Sequence, residues 1–88
     1  MAYPFDRVTN MHQPEHPSYS SIPVTHGDTR CRARIVFAKH GEMMVEGQID
    51  KTHGQSVLFR YWDEAGYAGA WLHVRDIERP QDRPPETN

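Results

Sequence analysis

Residues 30–49 read RCRARIVFAKHGEMMVEGQI, two runs of alternating apolar and polar side chains on either side of a short turn. Alternation with a period of two is typical of strands that bury one face. The runs cover residues 30–38 and 42–50, and Lys39-His40-Gly41 between them predicts a hairpin turn. Gly47 suggests a bulge or a tight bend in the second strand. The inward face of this predicted hairpin carries Cys31, Ala33, Ile35, Phe37, Met43, Val45, Gly47 and Ile49.

The same alternation continues after the hairpin. Turn signals at residues 52–54 and 63–66 delimit two further predicted strands, 56–62 and 67–73, and residues 74–79 predict one helical turn that leads into a brief fifth strand. Short strands joined by tight turns are typical of all-β barrels and sandwiches, and about fifty residues are too few for two full sheets. The sequence therefore predicts a single small SH3-like β-barrel of about five antiparallel strands over residues 30–79.

The seven prolines all lie outside residues 30–79. Proline lacks the amide donor that a sheet ladder needs, and its fixed φ opposes regular structure. The segment 1–29 is also rich in Ser and His, so we expect a disordered N-terminal arm there. Residues 80–88 are polar, charged and proline-containing, and they predict a disordered tail.

Composition limits the classes of function. Ten Lys and Arg against twelve Asp and Glu give a net charge of −2, which argues against the broad basic surface of a non-specific nucleic-acid binder. The single cysteine, Cys31, cannot form an intramolecular disulfide, which is compatible with a reducing compartment. No signal-peptide pattern or membrane-length apolar run occurs, so we expect a cytoplasmic protein that does not bind membranes.

Residues 70–78, AWLHVRDIE, resemble the closing strand, helical turn and short strand of SH3-like and Sm-like barrels. Among these, the chain resembles the plasmid-borne type II dihydrofolate reductases at Gly27-Asp28, at Gly47-Gln48-Ile49 and at Ile77-Glu78-Arg79. This resemblance implies an oligomer with an enzyme site at a shared interface. The Val-Gln-Ile-Tyr strand of that family is replaced here by Gly69-Ala70-Trp71-Leu72, so the activity is not carried over.

Residues for other chemistry are poorly placed in the sequence. There is no glycine-rich phosphate loop and no Cys-x-x-Cys pair, and Cys31 is predicted to face the core, where a thiol is inert. His12 and His16 could suggest a metal site, but Pro14 and Pro17 prevent the helix that would align them. We therefore assign no catalytic residue, metal ligand or cofactor, and we expect a non-enzymatic protein.

Two candidate binding surfaces remain. A core this small cannot easily enclose every aromatic side chain, so the leading prediction is a protein-partner surface formed by Trp62, Tyr67, Trp71 and His73. The partner would be another protein or a second copy of the chain. We expect this partner-binding protein to be a regulator or inhibitor. Small single-domain proteins of this kind are common in phages and other mobile elements, so we expect such an origin on the basis of size.

The alternative surface is a basic stripe for RNA or single-stranded DNA. Arg30, Arg32 and Arg34 share one face of the first strand and are followed by Lys39, while Tyr61 and the other aromatic residues could stack on bases. Acidic residues on the second strand could instead neutralise this stripe, since residues 30–79 carry eight basic and seven acidic side chains. Both interpretations stay open on the sequence alone.

Overall fold

A computed structural model describes residues 2–14 and 30–79 of the chain. Five strands account for most of the described residues: β1 (Arg30–Phe37), β2 (Gly41–His53), β3 (Ser56–Asp63), β4 (Gly66–His73) and β5 (Ile77–Glu78). A 3₁₀ helix, Val74–Asp76, joins β4 to β5. The predicted all-β class, with five antiparallel strands in one sheet, is confirmed. The predictions for residues 15–29 and 80–88 lie outside the described residues.

The sheet has the strand order β4-β3-β2-β1-β5. Every neighbouring pair is antiparallel. Within the described residues, the end strands β4 and β5 do not pair with each other, so these five strands form an open sheet and not a closed ladder.

A register shift in β2 lies between Ile49 and Lys51, which differs from the predicted irregularity at Gly47. The pairing of β1 with β2 is continuous through Gly47. Glycine is required there by crowding: a Cβ at this position would lie 2.1 Å from the carbonyl oxygen of Arg60 and 2.8 Å from Cζ of Phe59. The glycine therefore marks a close approach of two strands.

The core lies on one face of the sheet and contains the inward residues predicted for β1. Burial raises the pKa of the Cys31 thiol to about 11, which keeps it protonated and unreactive at neutral pH. Tyr3 and Val8 of the N-terminal segment pack against the same cluster. The buried members are Cys31, Ala33, Ile35, Phe37, Val45, Ile49, Val57, Phe59, Tyr61, Ala70 and Leu72.

Residues 2–14 bind along the sheet, whereas the sequence indicated an unstructured arm over all of 1–29. The amide of Thr9 donates to the carbonyl of Val36 at 2.8 Å, and the amide of His12 donates to the carbonyl of Trp71 at 2.7 Å. The segment thus contacts β1 and β4, on opposite sides of the open sheet. The Asn10 side chain makes the hydrogen bonds to β1 that the main chain of a neighbouring strand would make. Its Oδ1 accepts from the Val36 amide, and its Nδ2 donates to the Arg34 carbonyl.

The carboxylate of Asp6 holds this segment to the β1–β2 turn. It accepts from the His40 ring at 2.9 Å and from the amides of Lys39 and His40 at 2.8 and 3.0 Å. These bonds, led by the one from the His40 ring, hold the pKa of Asp6 well below its ordinary value of 3.8 although burial opposes them.

Acid should weaken this attachment. Because the pKa of Asp6 is lower in the folded state, its contribution to stability is complete above the unfolded pKa near 4 and is lost as pH falls through the folded pKa. We therefore expect Asp6→Asn to lower the urea midpoint at pH 7, and to lower it less at about pH 2. An equal difference between the two chains at both pH values would contradict this role.

Candidate functional site

The most exposed aromatic side chains of the sheet stand next to each other. Trp62 on β3 and Tyr67 on β4 are register partners, their ring centres are 4.9 Å apart, and they are 63 % and 46 % exposed. The turn beside them is closed by Asp63, whose Oδ1 accepts from the amides of Ala65 and Gly66. The pair is therefore held at a tight hairpin end and still faces solvent.

Polar side chains of β2 and β3 contact Tyr67. Gln48 Nε2 lies 2.7 Å from the Tyr67 hydroxyl, to which it donates, and the Arg60 guanidinium lies 5.5 Å from the ring centre. Asp50 pairs with Arg60 at 3.5 Å. Because Gly69 has no side chain, Arg60 can lie across β4 at this point, where an added Cβ would be 3.1 Å from Arg60 Cδ.

We call Gln48, Arg60, Trp62 and Tyr67 the aromatic patch. These four side chains line a cleft of about 320 Å³, together with Glu46, Gly47 and Tyr61. The cleft combines aromatic rings with an amide, a guanidinium and a carboxylate at its walls. Such a combination suits recognition of a polypeptide surface, where aromatic anchors provide affinity and polar groups provide orientation.

Trp71 and His73, the other two residues of the predicted partner surface, do not extend this patch. Trp71 is only 4 % exposed, so it is buried and does not share the exposed surface of Trp62 and Tyr67. It is the register partner of Leu58, and Met11 and Gln13 of the N-terminal segment line the same cleft with it. His73 is half-buried; its Nδ1 accepts from the Arg75 amide at 3.0 Å, which caps the 3₁₀ helix.

The arginine stripe is largely neutralised. Arg32 pairs with Glu78, and Arg34 pairs with Glu42 and, at 3.0 Å, with Asp76. The bonds to Glu42 and Asp76 raise the pKa of Arg34. The sequence predicts acidic partners on the second strand, but only Glu42 comes from there, and the other two acids come from the 3₁₀ helix and from β5.

Tyr61 cannot present its ring to a base, contrary to its predicted place in a nucleic-acid surface. It is 3 % exposed and stacks on Phe59 with 5.9 Å between ring centres. Burial also raises the pKa of its hydroxyl. Arg30 and Lys39 are exposed at the two ends of β1, too far apart along the strand to act as one cluster.

A serine–histidine contact was missed by sequence reasoning. His12 Nδ1 lies 2.8 Å from Ser56 Oγ, and the His12 ring meets the His73 ring edge-on at 4.7 Å. A cleft of about 400 Å³ adjoins this contact. Ser56 is 2 % exposed, and its hydroxyl joins the N-terminal segment to the start of β3. The two residues are 44 positions apart, and no local motif could connect them.

No cluster of three metal-ligating side chains occurs within residues 2–14 and 30–79. Over the same ranges, no helix is long and apolar enough to cross a membrane. Comparisons of the chain with protein-family models, with curated proteins and with solved structures found no match. The aromatic patch therefore has to be interpreted from its own chemistry.

Proposed function

We propose that this chain is a non-enzymatic binding module that takes a protein partner on the aromatic patch. The observation that carries the proposal is the exposed Trp62–Tyr67 pair beside the tight β3–β4 turn. Tryptophan, tyrosine and arginine are the side chains that most often dominate the energetics of protein interfaces. A regulatory or inhibitory role, a mobile-element origin and a cytoplasmic location stay predictions.

We also propose that the sheet belongs to the SH3-like class of small barrels. Its support is the strand order β4-β3-β2-β1-β5 with a 3₁₀ helix between β4 and β5. Residues 2–14, which contact both β1 and β4, would complete the enclosure that the five strands leave open. Small barrels of this kind commonly place their binding residues on one exposed face of the sheet.

The nucleic-acid alternative has less support, because Arg32 and Arg34 are paired with acids and Tyr61 is buried. The reductase-like alternative has less support as well. At the positions that resemble the active strand of that family, Ala70, Trp71 and Leu72 are all buried in this fold. Neither alternative offers an exposed set of side chains comparable to the aromatic patch.

Replacing Trp62 with alanine should weaken partner binding strongly without unfolding the chain, because a 63 % exposed side chain contributes little to the core. Loss of a central aromatic anchor is expected to cost about 2 kcal/mol or more, a factor of about 30 in affinity. The chain would be used to capture partners from lysate of its source cells, and the affinity of each captured protein would be measured with the wild-type chain and with the variant.

Val74→Ala is the matched control, since Val74 is also an exposed apolar residue but lies in the 3₁₀ helix outside the patch. Captured proteins that bind the two variants equally well would refute the proposal. A titration with single-stranded RNA and DNA at two salt concentrations tests the alternative. Tight binding that weakens steeply with salt and with Arg32→Ala would favour the nucleic-acid function.

A further inference from the structure

Residues 2–14 and 30–79 cover only part of the outer edge of β4. The Trp71 carbonyl faces this edge, because it accepts from the His12 amide. Backbone groups alternate sides along a strand, and the pairing of β3 with β4 has no irregularity, so the main-chain groups of Tyr67 and Gly69 face the same edge. No residue of the described ranges bonds to them there, and both residues are exposed.

Within the described residues 2–14, the segment pairs with this edge at His12 and Trp71. Continuing its antiparallel register, set by the bridge between Met11 and Leu72, would place Pro14 opposite Gly69. Proline has no amide proton to donate to the Gly69 carbonyl. Pro14 lines a cleft with the β2–β3 turn, His53–Gln55, while Gln13 also lines a cleft with Ala70 and Trp71.

We propose that this open edge pairs with the same edge of a second copy of the chain. An antiparallel, two-fold symmetric pairing with Tyr67 opposite the partner's Gly69, and Gly69 opposite the partner's Tyr67, satisfies every one of these edge groups. Each of the two residue pairs makes two main-chain hydrogen bonds. The two sheets then join into one across the symmetry axis.

The side chains at this edge of one copy are complementary to the same side chains of a second copy. Tyr67 and Gly69 lie on the same face of β4, so the pairing sets the partner's Tyr67 ring beside Gly69, which has no side chain of its own. Arg60 already lies across Gly69, which brings its guanidinium beside the partner's Tyr67 ring, an attractive cation–π arrangement. The paired segment has only a few residues in each copy, so we expect a weak dimer with a dissociation constant on the order of 10 µM.

The dimer would put two aromatic patches on one face of a continuous sheet. Its pairing rests on main-chain groups, so it does not depend on the partner-binding function proposed for Trp62. The two proposals fail separately: Trp62→Ala should weaken partner binding and leave the dimer intact, and Gly69→Pro should weaken the dimer relative to Gly69→Ala, which adds the same Cβ beside Arg60.

Gly69→Pro tests the pairing, with Gly69→Ala as its matched control. Both variants add a Cβ beside Arg60, and only proline removes the amide donor at the edge; proline is tolerated where that amide does not serve the sheet. Sedimentation equilibrium of the full chain from about 1 to 500 µM should give dimer for the wild type and for Gly69→Ala, and at least tenfold weaker association for Gly69→Pro.

Amide hydrogen exchange gives a second measurement that needs no variant. The amides of Tyr67 and Gly69 should exchange rapidly at low protein concentration and become protected as the concentration rises, while core amides of β3 stay protected throughout. A wild-type chain that is monomeric over the whole range would overturn the proposal. So would equal association of the wild type and Gly69→Pro, equal weakening by both variants, or protection of Tyr67 and Gly69 that ignores concentration.

Discussion

Replacing Gly47 with alanine is expected to destabilise the fold severely. The new methyl group would lie 2.1 Å from the Arg60 carbonyl oxygen and 2.8 Å from the Phe59 ring. The carbonyl is main chain in a central strand, and Phe59 is fully buried, so neither can move away cheaply. Overpacking of this severity costs about 3 kcal/mol or more, against a total stability of about 5–10 kcal/mol for a small domain. Urea unfolding followed by circular dichroism measures the loss.

Gly41→Ala is the control for the Gly47 variant. Nothing lies within 4 Å of the Cβ that alanine would add at this turn, and only the φ of +77° opposes it. Alanine in that conformation costs about 1 kcal/mol. If Gly47→Ala destabilises the chain no more than Gly41→Ala does, the close approach of β2 and β3 is refuted.

Removing residues 1–14 should destabilise the chain even more. Five main-chain hydrogen bonds join this segment to the rest of the described chain, and Tyr3 and Val8 cover part of the core. At about 1 kcal/mol for each bond, the loss is about 5 kcal/mol before the exposed core is counted. We therefore expect a chain starting at residue 15 to lose cooperative thermal unfolding, measured by circular dichroism and by the dispersion of its amide NMR signals.

Asn10→Ala provides a graded version of the same test. It keeps the segment but removes the side-chain partners of the Val36 amide and the Arg34 carbonyl, for an expected loss of about 1–3 kcal/mol. If the shortened chain melts cooperatively at the wild-type temperature, the unstructured arm predicted from the sequence is the better description of residues 2–14.

Only part of the candidate site could be predicted from the sequence. Trp62 and Tyr67 flank a recognisable turn, and their proximity follows from hairpin pairing, which is local in sequence. The burial of Trp71 was not predictable, because Met11 and Gln13, which share its cleft, come from a segment about 60 residues earlier. The neutralisation of Arg32 likewise depends on Glu78, which reaches it only because β5 pairs with β1.

The sequence by itself determined the strands, the turns and the inward face, because the period of two and the position of glycines act within a few residues. It also separated the proline-free sheet from its flanks. Tertiary structure alone decided which aromatic residues stay exposed, which arginines are paired, and that residues 2–14 bind to the sheet. Those outcomes depend on contacts between residues that are distant in the chain. They also depend on backbone donors and acceptors, which are the same for every amino acid except proline and therefore cannot be predicted from a side-chain pattern.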